Sequence, residues 1–215
     1  MSFKVYALDL SLSATGHCVM QDGEPLLLET IKTPDDADLY ERIKIIINRV
    51  FQVFAEHNPN IVVMEGYAFS ASTNNITKLA ELDGIIKYEL LVEQGYSKSR
   101  EVLAKADKAF HVQTQSQMKK FCLGDGAAKK DSRYLLEVFN RIHKQFEDDN
   151  QADAYMHAWM TTILVGVLRG NIAISDLPEH QQEALISGGA RKQKNLSMKK
   201  AMKLSEEEKR KLAGF

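Results

Sequence analysis

The chain has 215 residues, of which 44% are hydrophobic and 27% are charged, an ordinary composition for a globular domain. No stretch supplies the roughly 18 consecutive apolar residues of a membrane span, and Met1 to Leu10 lacks a signal-peptide cleavage pattern. We therefore expect a cytoplasmic protein with no membrane partner. Cys18 and Cys122 have no CxxC or Cys/His spacing, which argues against a disulfide framework and a structural zinc site.

The net charge of −1 conceals a gradient along the chain. Residues 190–215 contain nine basic and three acidic residues, a balance of +6, so the first 189 residues carry −7. An acidic body suits a carboxylate-lined site, and a basic tail attracts polyanions. We predict a folded domain over 1–170 and a basic C-terminal extension over 171–215. A solvated extension that only aids solubility is the alternative.

The first strand carries an unusual carboxylate. Phe3 to Leu10 reads as a strand buried on both faces, followed at once by small turn residues. Asp9 lies inside it, and no Lys or Arg occurs between Tyr6 and Gly16 to compensate its charge. A metal ion is the favoured compensation. The alternative is an Asp at a strand end that accepts backbone hydrogen bonds in the turn.

Two more strands and a helix follow. Thr15 to Gln21 and Glu24 to Lys32 read as strands, and the Asp22-Gly23 pair between them is a strong hairpin signal. Asp38 is placed to cap a helix over Leu39 to His57. The pattern predicts an antiparallel meander of three strands that leads into a helix.

A second carboxylate ends another buried strand. Ile61 to Met64 is a short, wholly apolar run of the kind found in central strands, and Glu65 follows it directly. Tyr67 and Phe69 begin an exposed loop. Thr77 to Gln94 then reads as a long amphipathic helix.

The next segment predicts one strand and two helices. Residues 95–108 are charged and ambiguous. Phe110 to Gln113 is a plausible fifth strand, followed by one or two helical turns over Ser116 to Phe121. A loop then opens a helix from about Ala127 to Gln145.

The last core helix supplies a third carboxylate. It runs from about Gln151 to Leu168 and carries Asp153, which we place in its first turn. Five strands with intervening helices predict an α/β fold with a mixed sheet, in which Asp9 and Glu65 hold neighbouring strand positions. A helix packed across such a sheet would bring Asp153 to the same point.

With these stretches in hand, the chain resembles the RuvC family of Holliday junction resolvases, which have a ribonuclease H-like fold. The family pattern has an Asp that ends the first strand before a small-residue turn and Thr-Gly, here DLSLSATG from Asp9. It continues with a hydrophobic strand ending in Glu, here IVVMEGYAF with Glu65, and a final helix with an Asp-Ala signature, here NQADAYMHAW with Asp153. The resemblance covers about residues 3–168 and implies a five-stranded mixed sheet flanked by helices. The compact size and the basic tail fit a phage-type member.

The resemblance implies a Mg²⁺-dependent endodeoxyribonuclease that resolves four-way junctions by symmetric paired nicks. Phosphodiester hydrolysis needs a deprotonated water, a neutralised phosphate and a stabilised leaving oxygen, which two carboxylate-bound Mg²⁺ ions supply, with Mn²⁺ as a substitute. We expect Asp9 to bridge both ions and Glu65 to hold one of them. Asp149 and Asp153 are expected to complete the second site.

The fourth ligand departs from the family pattern. The family usually has Asp or His three residues before the last Asp, and that position is Asn150 here, while Asp149 lies four before. These offsets lie about 60° and 40° around a helix from Asp153, so both fall on one face. We predict Asp149 as the ligand. One alternative is that uncharged Asn150 is the ligand. The other is that Asp149 only caps the N-terminus of the helix.

Contacts to branched DNA are also expected. Four lysines flank the loop Gly124 to Gly126, matching in position the residues that bind phosphate in the family: Lys119, Lys120, Lys129 and Lys130. Tyr67 and Phe69 follow Glu65 where the family carries an aromatic side chain that stacks on an unpaired base. The alternatives are a solvated helix face for the lysines and packing against the core for the aromatic side chains.

Paired nicks related by two-fold symmetry imply a homodimer. By resemblance, the helix over residues 77–94 is the expected interface, although burial in the core of its own subunit is an alternative. His157 lies one turn beyond Asp153 and could approach a metal or a phosphate, but packing or capping is favoured.

Three other functions compete. An actin-like or sugar-kinase ATPase has a related first phosphate loop, but Leu10-Ser11 replaces its expected glycine and the chain is too short for a second lobe. A non-catalytic protein that binds branched DNA would not need the three intact acids. A nuclease that prefers three-way junctions or flaps is the harder rival.

Overall fold

A five-stranded mixed sheet forms the centre of the molecule in a computed structural model that describes residues 2–66, 73–131 and 134–187. The strands are β1 (Lys4–Asp9), β2 (Ala14–Gln21), β3 (Glu24–Lys32), β4 (Ile61–Glu65) and β5 (Ala109–Gln113). Their order is β3-β2-β1-β4-β5. The first three are antiparallel, whereas β4 is parallel to β1 and β5 is parallel to β4. The predicted α/β class with a mixed sheet is confirmed.

The β2–β3 hairpin forms where its sequence signal placed it. Asp22 and Gly23 adopt positive φ angles of 53° and 90°, as a two-residue hairpin turn that matches the twist of its strands requires. Register along this pair runs from Gln21 opposite Glu24 to Ala14 opposite Lys32. The local turn chemistry therefore decides how these strands pair.

The parallel pairing of β1 with β4 brings two acids together. Val5 lies opposite Ile61 and Leu8 opposite Met64, so the next residues, Asp9 and Glu65, stand side by side. Both lie at the carboxyl ends of their strands. The expectation that they occupy neighbouring positions is confirmed.

Seven α-helices lie within the described residues. They are α1 (Leu39–His57), α2 (Thr73–Tyr88), α3 (Arg100–Lys105), α4 (Gln115–Leu123), α5 (Tyr134–Ile142), α6 (Asp149–Leu168) and α7 (Glu179–Ser187). The bounds of α1 agree with the prediction, and the Asp38 side chain accepts a hydrogen bond from the Glu41 amide at 2.9 Å. The long helix predicted over residues 77–94 begins earlier, at Thr73, and ends in a π-helical turn over Glu89–Glu93.

Helix α6 begins two residues earlier than predicted because Asp148 caps it. The Asp148 carboxylate accepts a hydrogen bond from the Gln151 amide at 2.9 Å. Asp149 is therefore the first helical residue rather than the cap. Asp153 consequently lies in the second turn, and its predicted place in the first turn is wrong.

The helix predicted from Ala127 to Gln145 is wrong at its start, since α5 begins only at Tyr134. The Asp125 side chain accepts from the Ala127 amide at 2.8 Å, and the Lys119 ammonium group donates to the Ala128 carbonyl oxygen at 2.6 Å. Lys119 thereby satisfies the Ala128 carbonyl oxygen, which in a helix would accept from the backbone four residues later. Residues 124–131 accordingly form a turn followed by an irregular loop.

Helices cover both faces of the sheet. Alternate residues of the central strands, such as Tyr6 and Leu8, face α1 and α2, while Val5, Ala7 and Cys18 face α6 and its neighbours. This two-sided burial explains the continuous apolar run of β4. Cys18 is buried and packs in the core.

The segment after α6 also packs on the body of the molecule. Ala184 and Leu185 of α7 are buried in the same cluster as α4 and α6, and Glu183 pairs with Lys120 at 2.6 Å. The division of the chain near residue 170 stays a prediction. No helix in the described part of the chain is long and apolar enough to cross a bilayer.

Candidate active site

Three carboxylates converge at one end of the sheet. One oxygen from each of Asp9, Glu65 and Asp153 lies within 4.8 Å of the other two. Asp9 is 8% exposed and Asp153 is completely buried, while Glu65 keeps some access to solvent. The structure thus brings together the three acids that the sequence singled out.

A close approach between β2 and α6 brings Asp153 to the sheet. Gly16 pairs with Asp9 across the β1–β2 ladder and faces the backbone of Asn150 in the first turn of α6. A Cβ atom at position 16 would stand 2.1 Å from the Asn150 carbonyl oxygen. From the next strand, the Thr30 hydroxyl donates to the Asp148 carboxylate at 2.8 Å. The start of α6 is therefore held against two strands.

Burial and mutual repulsion make it costly for all three carboxylates to be ionised without a nearby positive charge. Burial, followed by the charge of neighbouring Glu65, raises the pKa of Asp9 well above its ordinary value. Burial also raises the pKa of Glu65, to which the charge of Asp153 contributes. Such a cluster binds protons or cations, and carboxylate oxygens are the donors that Mg²⁺ and Mn²⁺ prefer. The donor set therefore fits a divalent metal centre.

Lys130 supplies positive charge from a distant loop. Its Nζ atom lies 2.6 Å from Asp153 Oδ2, 3.4 Å from Asp149 Oδ2 and 3.9 Å from Asp9 Oδ2. Burial opposes the charged form of this ammonium group, but the carboxylates of Asp153 and Asp9 outweigh burial and raise the pKa of Lys130. The sequence around Asp9 gives no sign of this cation, because Lys130 and Asp9 are far apart in the chain.

Asp149 lies at the edge of the cluster rather than inside it. Its side chain is 43% exposed and reaches the same Lys130 ammonium group that Asp153 binds. It is outside the set of carboxylates that converge within 4.8 Å. Its assignment as the fourth ligand stays a prediction.

Two side chains that the sequence did not single out hold Asp153 in place. The Tyr134 hydroxyl donates to Asp153 Oδ1, and Gln115 Nε2 donates to Oδ2 at 3.3 Å. Tyr134 is almost fully buried, and burial together with Asp153 raises the pKa of Tyr134, so the hydroxyl keeps its proton. No motif marked these residues, since each reaches Asp153 from a different helix.

His157 is wholly buried one turn after Asp153 on α6. Its Nε2 atom lies 3.9 Å from Glu65 Oε2, and its Nδ1 atom lies 2.9 Å from Gln113 Oε1. Burial lowers the pKa of His157 below the ordinary value for histidine. The ring is thus packed, as expected, and it also borders the acid cluster.

The four lysines expected at DNA occupy different environments. Lys119 is 5% exposed, with its ammonium group bound to the Ala128 carbonyl and 5.2 Å from the centre of the Tyr134 ring. Lys120 pairs with Glu183, Lys130 lies among the carboxylates and Lys129 is exposed. Tyr67 and Phe69 lie outside the described residues.

Comparison with known proteins gives consistent results. The chain matches the family model described as crossover junction endodeoxyribonuclease RuvC over residues 5–161. The protein of that name from Corynebacterium glutamicum is 24% identical over 176 residues, covering 75% of this chain and 72% of that protein. The one from Mycobacterium avium is 26% identical over 178 residues, covering 77% of this chain and 87% of that protein.

Comparison with solved structures identifies the fold. The structure of T. thermophilus RuvC in complex with a Holliday junction substrate superposes with a TM-score of 0.54 at 21% identity. The superposition covers 73% of this chain and 91% of that one, and it confirms the ribonuclease H-like fold. Because the family match over residues 5–161 spans well over half of the sequence, the chain belongs to the RuvC crossover junction endodeoxyribonuclease family.

Proposed function

We propose that this protein is a metal-dependent endonuclease that resolves four-way DNA junctions by symmetric paired nicks. The convergence of Asp9, Glu65 and Asp153 within 4.8 Å, in a chain of the RuvC family, carries this proposal. A buried carboxylate cluster has a large desolvation cost, and proteins retain such clusters mainly where function uses them.

The proposed centre takes two divalent cations, Mg²⁺ or Mn²⁺. Asp9, Glu65 and Asp153 would hold them, with Asp149 as the proposed fourth ligand at the rim. When bound, such ions neutralise charge on the scissile phosphate and activate the attacking water. Tyr134 and Gln115 keep the Asp153 carboxylate in one orientation, which preserves the donor geometry.

The surroundings of each lysine determine whether its ammonium group is free to contact DNA phosphate. Lys129 is exposed and Lys130 already binds carboxylate oxygens, so both suit contact with phosphate beside the cluster. Lys119 instead stabilises the loop that carries them, through its hydrogen bond to Ala128. Lys120 would first have to leave Glu183. Tyr67 and Phe69 remain the proposed stacking residues.

A homodimer through α2 is part of the proposal. Ile85, Tyr88 and Val92 are exposed by 44%, 58% and 62%, and their spacing of three and four residues puts them on one side of α2 and its π-helical turn. An exposed apolar stripe of this kind is typical of an interface between proteins. A second copy packed on it would present two active sites related by two-fold symmetry.

The test is cleavage of a synthetic four-way junction with Mg²⁺, compared with Y-form, flap and duplex DNA. Asp9→Asn should abolish cleavage and leave junction binding largely intact, because it removes a central carboxylate without changing the DNA-contacting lysines. Asp22→Asn is the matched control and should cut like the wild type, because Asp22 lies in the β2–β3 hairpin at the opposite end of the sheet and asparagine accepts its positive φ angle. Preference for a flap, or cleavage retained by Asp9→Asn, would refute the proposal.

A further inference from the structure

The Nε2 atom of His157 has no role in the function described so far. The ring is completely buried, and Nε2 finds no hydrogen-bond partner within the described part of the chain. It lies 3.9 Å from Glu65 Oε2 and on the same helix face as Asp153, four residues earlier. A buried polar atom without a partner costs free energy, so its place beside the acid cluster calls for a ligand.

Hydrogen bonds on the far side of the ring decide which nitrogen carries the proton. The Thr161 hydroxyl donates to the His157 carbonyl oxygen at 2.9 Å, so its oxygen can only accept from Gln113 Nε2, at 2.8 Å. Gln113 Oε1 consequently faces His157 Nδ1, at 2.9 Å, and accepts a hydrogen bond from the protonated Nδ1. In a neutral ring, Nε2 is then unprotonated and presents a lone pair.

We infer that His157 is a nitrogen ligand which, together with Glu65, holds one cation of the proposed centre. This inference rests on the proposed function. A cation bound by both residues would lie about 2.1 Å from each donor atom, so the two donors could be at most about 4.2 Å apart. The observed 3.9 Å between Nε2 and Oε2 is within that limit. Gln113 acts as the positioning residue, since metal-bound histidines usually donate their other N–H to an oxygen acceptor.

A nitrogen ligand changes which metal the site prefers. Imidazole favours transition metals over Mg²⁺, whereas a site made only of carboxylates suits Mg²⁺ well. We therefore expect this centre to bind Mn²⁺ more tightly than Mg²⁺. Replacing His157 with leucine should weaken Mn²⁺ binding by roughly tenfold or more and Mg²⁺ binding by less.

Pulsed electron paramagnetic resonance of the DNA-free wild-type protein with Mn²⁺ tests the inference directly. The spectrum should contain a ¹⁴N coupling that is replaced by a ¹⁵N coupling when the protein is made with ¹⁵N-histidine. His157→Leu should lose this coupling although it keeps the other histidines. His111→Leu is the matched control, because His111 is a partly buried histidine on the same face of β5 as Gln113, and it should keep the coupling.

The outcomes separate this inference from the proposed function. A wild-type protein that cuts four-way junctions but shows no histidine coupling would overturn the ligand assignment alone. A coupling that persists in folded His157→Leu, checked by circular dichroism, would overturn it too. A coupling that depends on His157, in a protein that cuts no branched DNA, would support the ligand and refute the nuclease. The isotope experiment needs no variant, so a wild type without histidine coupling overturns the inference even if His157→Leu does not fold. In that case His157→Gln, which keeps a polar side chain at this position, replaces it in assigning the coupling to His157.

Discussion

Replacing Gly16 with alanine should separate α6 from the sheet at the active site. The added Cβ atom would lie 2.1 Å from the carbonyl oxygen and 2.5 Å from the carbonyl carbon of Asn150, whereas real Cβ contacts essentially never fall below 3.0 Å. Both opposing atoms belong to backbone, so no side-chain rotation relieves the clash. The first turn of α6 must move by about 1 Å, and Asp149 and Asp153 move with it.

Two effects follow from this displacement. Overpacking of this kind costs about 1 to 3 kcal/mol of unfolding free energy. A shift of about 1 Å in a catalytic group costs about a hundredfold in rate. We therefore expect Gly16→Ala to remain folded while its cleavage rate at saturating junction falls by about two orders of magnitude.

The assays are urea unfolding followed by circular dichroism and single-turnover cleavage of a four-way junction. Gly84→Ala is the control for the unfolding assay: it adds the same methyl group in α2, where no atom beyond the chain neighbours and the backbone of the helix itself lies within 4 Å of the new Cβ. It does not serve as a cleavage control, because Gly84 lies one turn before Tyr88 on the proposed dimer face of α2. Alanine is favoured over glycine inside a helix, so this control should gain about 0.5 to 1 kcal/mol. If Gly16→Ala were as stable and as active as the wild type, the close approach of α6 to β2 would be refuted.

Two further predictions concern charge. Lys130→Met should lower the melting temperature in EDTA, because it leaves the carboxylates of Asp153 and Asp9 without their nearest cation, and saturating Mg²⁺ should restore more stability to this variant than to the wild type. Equal melting temperatures of Lys130→Met and wild type in EDTA would contradict this. The second prediction is that His17 makes the protein less stable as the pH falls. Burial lowers the pKa of His17 to about 4 from 6.5, so between these values the unfolded chain binds a proton that the folded protein refuses. The contribution of His17 is fully present above pH 6.5, and up to about 3 kcal/mol is lost by pH 4. Urea unfolding at several pH values should show this loss in the wild type relative to His17→Phe, and a difference that does not vary with pH would contradict it.

Local signals in the sequence were sufficient to predict the three-stranded meander and helix α1. The Asp22-Gly23 pair has positive φ angles, and Asp38 caps its helix, so each boundary is decided by residues next to it. The start of α5 could not be found in this way. Lys119, from the preceding helix, binds the Ala128 carbonyl, and that segment forms a turn followed by an irregular loop.

The identities of the three acids followed from the sequence because each interrupts or ends an apolar segment, where an uncompensated carboxylate is costly. Their meeting point did not, since it depends on the parallel register of β1 with β4 and on the backbone contact at Gly16. Only the tertiary structure placed Lys130 among the acids and turned the free nitrogen of His157 toward Glu65. Charges and lone pairs act through space, and residues far apart in the chain leave no periodic trace of such contacts.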